Sequence, residues 1–199
     1  MQLSHSFPQQ KSQFPTGGER IGPAGFQISS TNFMTSLSLF DEAAPAKQTT
    51  GAAPAVTIYS DGACSGNPGA GGWGALLMFS GGQEIELCGS QANATNNQME
   101  LMGAIAALES LAQPSLVTLF TDSQYVQKGF SEWLPGWKAK GWRTSTGSAV
   151  KNEDLWRRLE KAAQKHRLTI KWVRGHNGDP GNERADKLAV AGVAKAKRG

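Results

Sequence analysis

The sequence has little cysteine and no long apolar run. Its two cysteines, Cys64 and Cys88, lie in no CxxC or Cys/His cluster, which argues against a disulfide framework and a zinc site. No stretch approaches the roughly 20 apolar residues needed to span a bilayer, and no secretory signal opens the chain. We therefore expect a protein of the reducing cytoplasm that makes no membrane contact.

Positive charge is missing from one long stretch of the chain. Residues 51–127 contain six acidic side chains and no lysine or arginine, whereas residues 128–199 contain 17 basic and seven acidic side chains. Chance together with solvated helix faces can produce such a division. It also suits a protein whose basic part binds a polyanion while carboxylates of the acidic part gather metal ions.

The first 54 residues lack tryptophan and any sustained apolar period, and they are rich in Ser, Thr, Gln, Pro and Gly. We expect residues 1–54 to be a disordered extension and linker. Residues 55–195 are predicted to form one domain, a size that can bury a core without disulfides. Residues 196–199 form a short basic tail.

From residue 55 onward, apolar periodicity predicts an α/β fold with the order β-β-β-α-β-α-α-β-α. The first strand, AVTIYS, is expected to end at Asp61, and Ser65–Gly71 reads as a loop poor in side chains. The stretch SQYVQKGFSEWL predicts a short helix after the fourth strand. Thr95 with Gln98 fits a capping box at the start of the first long helix.

Four carboxylates follow or begin the predicted elements at points where the fold can bring them together. Asp61 and Asp122 end strands, Glu100 lies near the start of a helix, and Asp186 lies one turn into the last helix. Each alone has an ordinary alternative as a turn former, an exposed helix residue or a partner of a nearby cation. Together, without Lys or Arg partners, they would repel one another, so the cluster predicts a site for Mg²⁺ or Mn²⁺.

Five motifs closely resemble bacterial ribonuclease HI. They are YSDGACSGNPGAGGWG, TNNQMELMGAIAALE, TDSQYV, WVRGHNGDPGNERADKLA and the Trp- and Lys-rich stretch FSEWLPGWKAKGWRTSTGSAVKN, and they span about Val56 to Val193. The resemblance implies the ribonuclease H-like fold, a five-stranded mixed sheet of three antiparallel and two parallel strands flanked by helices. It also implies a monomeric endonuclease that hydrolyses the RNA strand of RNA–DNA hybrids with two Mg²⁺ ions, for which Mn²⁺ can substitute. The products would carry 5′-phosphate and 3′-hydroxyl ends.

The resemblance also implies roles for individual residues. The catalytic set is Asp61, Glu100, Asp122, His176 and Asp186, of which the four carboxylates bind the metal ions. His176 is assigned an assisting role, and its alternative is an ordinary surface-loop histidine. The implied nucleic-acid contacts are Cys64, Asn67, Thr95, Asn96, Asn97, Gln124, Trp133, Trp137, Lys138, Lys140 and Trp142.

Several of these contacts have structural alternatives. Asn67 would bind the 2′-hydroxyl groups that distinguish RNA from DNA, Asn96 can instead cap a helix, and Cys64 can serve in a turn. The Trp- and Lys-rich stretch suits a groove for a DNA backbone, or else a helical hairpin with core tryptophans. Other functions also remain open, namely a different nuclease or strand-transfer enzyme of this fold, or a catalytically silent hybrid-binding module.

A short motif in the extension points to a further partner. Ser36–Phe40, in TSLSLFDEAAP, resembles the Gln-Leu-Ser/Asp-Leu-Phe peptide with which many bacterial replication and repair proteins bind the sliding clamp, with Ser in place of Gln. Leu37, Leu39 and Phe40 would fill an apolar pocket of the clamp. The alternatives are that a few apolar residues cluster here by chance or that they pack loosely on the domain.

Overall fold

The computed structural model describes residues 53–198, whose strands form one five-stranded sheet in the order β3-β2-β1-β4-β5. The first three strands, β1 (Ala55–Gly66), β2 (Gly69–Phe79) and β3 (Glu84–Ala94), pair antiparallel. The strands β4 (Leu116–Thr121) and β5 (Arg167–Trp172) extend the sheet in parallel beside β1. The predicted sheet of three antiparallel and two parallel strands is confirmed.

Five α-helices complete the fold of residues 53–198. They are α1 (Asn96–Ser110), α2 (Gln124–Lys128), α3 (Leu134–Ala139), α4 (Glu153–Ala163) and α5 (Pro180–Ala196). The capping box predicted for Thr95 and Gln98 is present, with the hydroxyl and the amide side chain each bonded to the other residue's backbone N–H. At the other end of the domain, the Asp179 carboxylate caps α5 by accepting from the N–H groups of Gly181 and Asn182.

The helical segment after β4 is longer than the sequence predicted. Helix α2 continues through one turn of π-helix, Gly129–Trp133, directly into α3, so the helical backbone extends to Ala139 instead of ending near Leu134. The π turn brings Leu134 into the core, where it is 6% exposed. The local sequence did not predict this continuation because Pro135 and Gly136 resemble the end of a helix. In the structure, Pro135 instead occupies the first turn of α3.

The main core lies between one face of the sheet and helices α1 and α4. Its largest fully buried side chains come from both layers and include Ile58, Leu77, Leu101, Ile105, Leu108, Leu119, Trp156 and Leu159. Helix α5 covers the opposite face, where its small residues Ala185 and Ala189 lie against Gly72 and Gly74 of β2. The close packing of α5 holds its polar first turns near the end of β1.

The prediction that β1 ends at Asp61 is wrong. β1 continues to Gly66 and β2 begins at Gly69, so most of the expected Ser65–Gly71 loop is a hairpin with a two-residue turn at Asn67 and Pro68. The small side chains of this stretch allow the two strands to pair, with Asp61 opposite Gly74. The parallel pairing of β1 with β4 nevertheless stops at Ser60 and Thr121, so Asp61 and Asp122 leave that ladder at the same edge.

The predicted disorder of residues 1–54 falls almost entirely outside the described residues, as do Leu37, Leu39 and Phe40 of the clamp-like motif. At the start of the described part, the carbonyl of Pro54 accepts from the N–H of Leu116, 2.9 Å away. Within residues 53–198, every helix is too short or too polar to cross a bilayer.

Candidate active site

Three carboxylates from three different elements meet where the β1–β4 ladder ends. Asp61 of β1, Glu100 of α1 and Asp122, which follows β4, each place one oxygen within 4.8 Å of the others. Asp61 is 7% exposed and Glu100 is 6% exposed. The structure therefore brings together three of the four acids that the sequence singled out.

The fourth acid, Asp186, joins the cluster from α5 through Asp61. Its negative charge, after burial and the charge of Asp122, helps to raise the pKa of Asp61. Asp186 is half-buried and follows Asn182 by four residues, so both lie on one face of α5.

The cluster is electrostatically costly when it holds no cation. Burial first, and then the charges of Asp122 and Asp186, raises the pKa of Asp61 to about 7. Burial, followed by the charges of Asp61 and Asp122, raises the pKa of Glu100 well above its ordinary value. Glu100 Oε2 is buried without a hydrogen-bond partner in the described part of the chain.

These properties fit a divalent cation. Each of the ion pairs found within residues 53–198 lies elsewhere, so the four acids have no basic partner there. An unpaired set of hard carboxylate oxygens is the donor set that Mg²⁺ prefers. A bound cation would remove the repulsion and give the orphaned Glu100 oxygen a partner.

The approach of α1 to β1 depends on Gly62. A Cβ atom at this position would lie 2.7 Å from Glu100 Cα and closer still to the Glu100 backbone nitrogen, so no larger residue fits without moving the helix. Gly103, one turn after Glu100 in α1, packs against the carbonyl oxygens of Asp61 and Gly74. These contacts bring the backbone of Glu100 directly against the strand that carries Asp61.

Several predicted nucleic-acid contacts surround the cluster and also have structural partners. Asn67 Oδ1 accepts from the backbone N–H of Asn96, 3.1 Å away, and thereby ties the β1–β2 turn to α1. Asn96 Nδ2 donates to Glu100 Oε1 at 3.3 Å. Cys64 Sγ donates to the carbonyl of Ala94, and burial followed by the charge of Glu100 raises the pKa of its thiol.

Two amide side chains and the predicted histidine face solvent around the cluster. Asn97 and Gln124 are exposed in the first turns of α1 and α2. His176 is exposed on the loop after β5 in a left-handed backbone conformation, with φ of 51°. Its neighbour Gly175 packs against the Asp122 carboxylate, so this loop borders the cluster.

The Trp- and Lys-rich segment, Phe130–Asn152, contains core tryptophans, as one of its two predictions expected, together with exposed lysines. Trp137 packs between Trp133 and Trp156, with ring centroids 5.8 Å and 5.4 Å apart. Trp142 is only 7% exposed and lies under the guanidinium of Arg157, 4.2 Å from the ring centroid. Its predicted surface contact with nucleic acid disagrees with this burial, which gives Trp142 a core role.

The outer surface of the same segment is basic. Lys138 and Lys140 are exposed, and Lys138 forms an ion pair with Glu160 of α4. Trp133 is 37% exposed. The aromatic packing thus supports a surface from which lysines and one indole edge reach solvent.

Two residues that contact Asp122 were absent from the predicted site. Asn182 Nδ2 donates to Asp122 Oδ2 at 3.3 Å, and Trp172 Nε1 donates to the Asp122 carbonyl oxygen at 2.9 Å. The spacing of Asn182 and Asp186 on one helix face was the available signal for the first. Nothing in the local sequence marked Trp172, which ends an ordinary strand pattern.

Comparison with known proteins gives a consistent family assignment. A family model described as RNase H matches residues 53–194. Ribonuclease H of Cupriavidus metallidurans is 62% identical over 139 residues, which cover 70% of this chain and 95% of that protein. Ribonuclease HI of Caulobacter vibrioides is 58% identical over 143 residues, covering 72% of this chain and 95% of that protein.

Solved structures agree with the sequence relatives. LC9-RNase H1, described as a type 1 RNase H with the type 2 active-site motif, is 32% identical with a TM-score of 0.67, covering 73% of this chain and 74% of that chain. RNase H1 from Halobacterium salinarum is 31% identical with a TM-score of 0.52, covering 71% of this chain and 98% of that chain.

Proposed function

This chain belongs to the ribonuclease H family, and from that membership we propose that it is an endonuclease cutting the RNA strand of RNA–DNA hybrids. The observation that supports the proposal most is the cluster of Asp61, Glu100 and Asp122 at one sheet edge, without a basic partner and with Asp186 acting on Asp61. A catalytically silent hybrid-binding module would have no need for such a cluster, because its mutual repulsion reduces stability.

The carboxylates of Asp61, Glu100, Asp122 and Asp186 would hold two divalent ions, Mg²⁺ or in its place Mn²⁺. Bound there, such ions would supply an activated water and neutralise charge at the reacting phosphate, for cleavage to 5′-phosphate and 3′-hydroxyl ends. The contribution of the protein is a rigid donor set, since the acids come from a strand, two helices and the end of another strand. Because all four come from one chain, we propose that the enzyme works as a monomer.

The RNA strand would be recognised by the amides beside the cluster. The Oδ1 atom of Asn67 is already bonded to Asn96, so its Nδ2 is left to donate to a 2′-hydroxyl group. Asn97 and Gln124 present exposed amides on the neighbouring helices. Asn96, Thr95 and Cys64 line the same flank and would mainly hold the shape of this surface.

The DNA strand would lie along the basic surface of the Trp- and Lys-rich segment. Lys138 and Lys140 would neutralise phosphates, and the exposed edge of Trp133 would contact the sugar-phosphate backbone. Trp137 would support this surface from beneath because its ring packs against Trp156. His176 would assist catalysis from the exposed loop, where its imidazole can accept or donate a proton near the cluster.

A substrate panel tests the proposal. The protein is incubated with Mg²⁺ and an end-labelled RNA–DNA hybrid, an RNA duplex or a DNA duplex of one sequence, and again with EDTA. Cleavage of only the RNA strand, only in the hybrid and only with metal is the expected result. Cleavage of both DNA strands, or strand joining, would indicate instead another nuclease or strand-transfer enzyme of this fold.

Location and a further partner are proposed on narrower grounds. Cys64 and Cys88 are both free thiols, which agrees with the reducing cytoplasm.

We also propose that Leu37, Leu39 and Phe40 bind a sliding clamp and keep the nuclease near replicated DNA. Calorimetric titration of a peptide spanning residues 32–44 into the clamp should show micromolar binding that Leu39→Ala or Phe40→Ala abolishes. No detectable heat with the unaltered peptide would reject the contact.

A further inference from the structure

Asp122 is held by two neighbours at different atoms. Trp172 Nε1 bonds to its backbone carbonyl oxygen, whereas Asn182 Nδ2 bonds to carboxylate oxygen Oδ2. Trp172 is 46% exposed, but Asn182 is 2% exposed. The contact to the Asp122 carboxylate is therefore the one made by the buried partner, Asn182.

The orientation of the Asn182 amide follows from its partner. An ionised carboxylate only accepts hydrogen bonds, so the amide NH₂ group faces Asp122 and Oδ1 points away. Asn182 Oδ1 is buried and has no hydrogen-bond partner within residues 53–198. An unsatisfied buried acceptor costs free energy, which offsets much of what the bond from Nδ2 to Asp122 contributes to folding.

The same carboxylate oxygen is enclosed from a second side. A Cβ atom at Gly175 would lie 3.2 Å from Asp122 Cγ and closer still to Oδ2. Gly175 and Asn182 therefore confine Oδ2, and Oδ1 is the oxygen free of both contacts. Asn182 also precedes Asp186 by one helical turn, so a single helix contributes both a carboxylate and the group that orients another.

We propose that Asn182 is a positioning residue: it holds the Asp122 carboxylate in the rotation that presents one oxygen to the metal ions bound with Asp61 and Glu100. The inference rests on the proposed function and assigns a role to a residue outside the predicted catalytic set. Groups that orient metal ligands typically change metal affinity about 10- to 100-fold when they are removed.

The test uses Asn182→Ala and Asn182→Leu in the full chain, with Glu183→Gln, an exposed neighbour, as the control. Mg²⁺ affinity is measured without nucleic acid by NMR titration with MgCl₂. Cleavage of the hybrid gives kcat and KM, and urea unfolding in EDTA gives stability. We expect Mg²⁺ affinity to fall about tenfold or more in both variants, with kcat reduced at fixed low Mg²⁺, partly restored at high Mg²⁺, and KM for the hybrid unchanged.

Stability separates positioning from a structural role. The Leu variant removes the orphaned acceptor while filling the space, so it should be as stable as the unaltered protein or more stable and still bind Mg²⁺ weakly. Unchanged Mg²⁺ affinity in folded Asn182 variants, or an equal loss in Glu183→Gln, would overturn the proposal. Failure of the unaltered protein to cut hybrids would reject the proposed function alone, because the Mg²⁺ titration still tests the positioning role.

Discussion

At the scale of single residues, the electrostatic behaviour of Asp61 has a measurable consequence for folding. Its pKa is raised from 3.8 to about 7, chiefly by burial and then by Asp122 and Asp186. Between these two pH values the folded chain keeps a proton that the unfolded chain has released. The contribution of Asp61 to stability is therefore fully present below about pH 4 and lost as pH rises to about 7.

The Asp61→Asn variant should accordingly be more stable than the unaltered protein when metal is absent. We expect the difference to be small near pH 4 and to grow to a few kcal/mol, in order of magnitude, above about pH 7. Urea unfolding in EDTA at several pH values measures it. A difference that stays constant across this range would show that Asp61 is not under electrostatic strain.

Glu109 provides a control because its pKa is shifted in the opposite direction to that of Asp61. Its hydrogen bond and charge interaction with Arg158 lower the pKa of its carboxyl group. Its contribution to stability is therefore present at neutral pH and lost as pH falls through the lowered value. The Glu109→Gln variant should be less stable than the unaltered protein at pH 7, and the gap should close in acid.

At the scale of secondary-structure elements, the contact between β1 and α1 determines whether Glu100 reaches Asp61. Gly62→Ala would place a methyl group against the Glu100 backbone, and we expect a loss of about 3 kcal/mol with a marked fall in activity. Gly81→Ala is the matched control because a Cβ there has no atom within 4 Å. Thermal unfolding and hybrid cleavage check both variants, and equal behaviour of the two would refute the close-approach argument.

The basic surface of the Trp- and Lys-rich segment should act mainly in binding. Replacing Lys138 and Lys140 with Ala should raise KM far more than it lowers kcat, because both side chains lie outside the carboxylate cluster. The slope of log affinity against log salt should decrease in magnitude by about 2, because two phosphates would no longer be neutralised by the protein.

Replacement of Lys161 and Lys165, two exposed lysines of α4 and the turn after it, removes the same charge outside this segment and serves as the control. A fall in kcat at unchanged KM after replacement of Lys138 and Lys140 would contradict a binding role. If replacing either pair of lysines weakens hybrid binding equally, the loss is due to the change in net charge and not to this surface.

The elements show how much of this fold and site could be predicted from sequence. Apolar periodicity, Gly-Gly turns and capping residues indicated the strand and helix order, because these signals are local. The extension of β1 past Asp61 was missed because its five small residues, Gly62–Gly66, have no strand pattern of their own and pair only with β2. The continuation of α2 into α3 places Leu134 in the core, a tertiary contact that the local sequence does not show.

The candidate site divides in the same way. The meeting of Asp61, Glu100 and Asp122 could be predicted because each lies in or next to a recognisable element, and the family resemblance linked these acids with Asp186. Trp142 could not be placed, since an indole beside basic residues suits either a surface or a core until its contacts are known. Asn182 was overlooked because its partner is 60 residues away.

At the scale of the whole molecule, the uneven distribution of charge along the chain acquires a spatial meaning. The stretch without lysine or arginine supplies three of the four clustered carboxylates, and the basic remainder supplies the exposed lysines. This arrangement suits a polyanionic duplex that is held by cations while one phosphate reaches a metal-filled acidic site. Binding and cleavage should therefore be separable by mutation.

The central claim is that the carboxylate cluster catalyses cleavage while other residues bind the hybrid. The most direct test compares the unaltered protein with Asp61→Asn and Asp122→Asn in binding and cleaving one labelled hybrid. Hybrid affinity is measured by fluorescence anisotropy with Ca²⁺, and cleavage is measured with saturating Mg²⁺. We predict similar hybrid affinity for all three proteins, with RNA-strand cleavage only by the unaltered one. Substantial cleavage by either variant at saturating Mg²⁺ would contradict the assignment of catalysis to the carboxylate cluster.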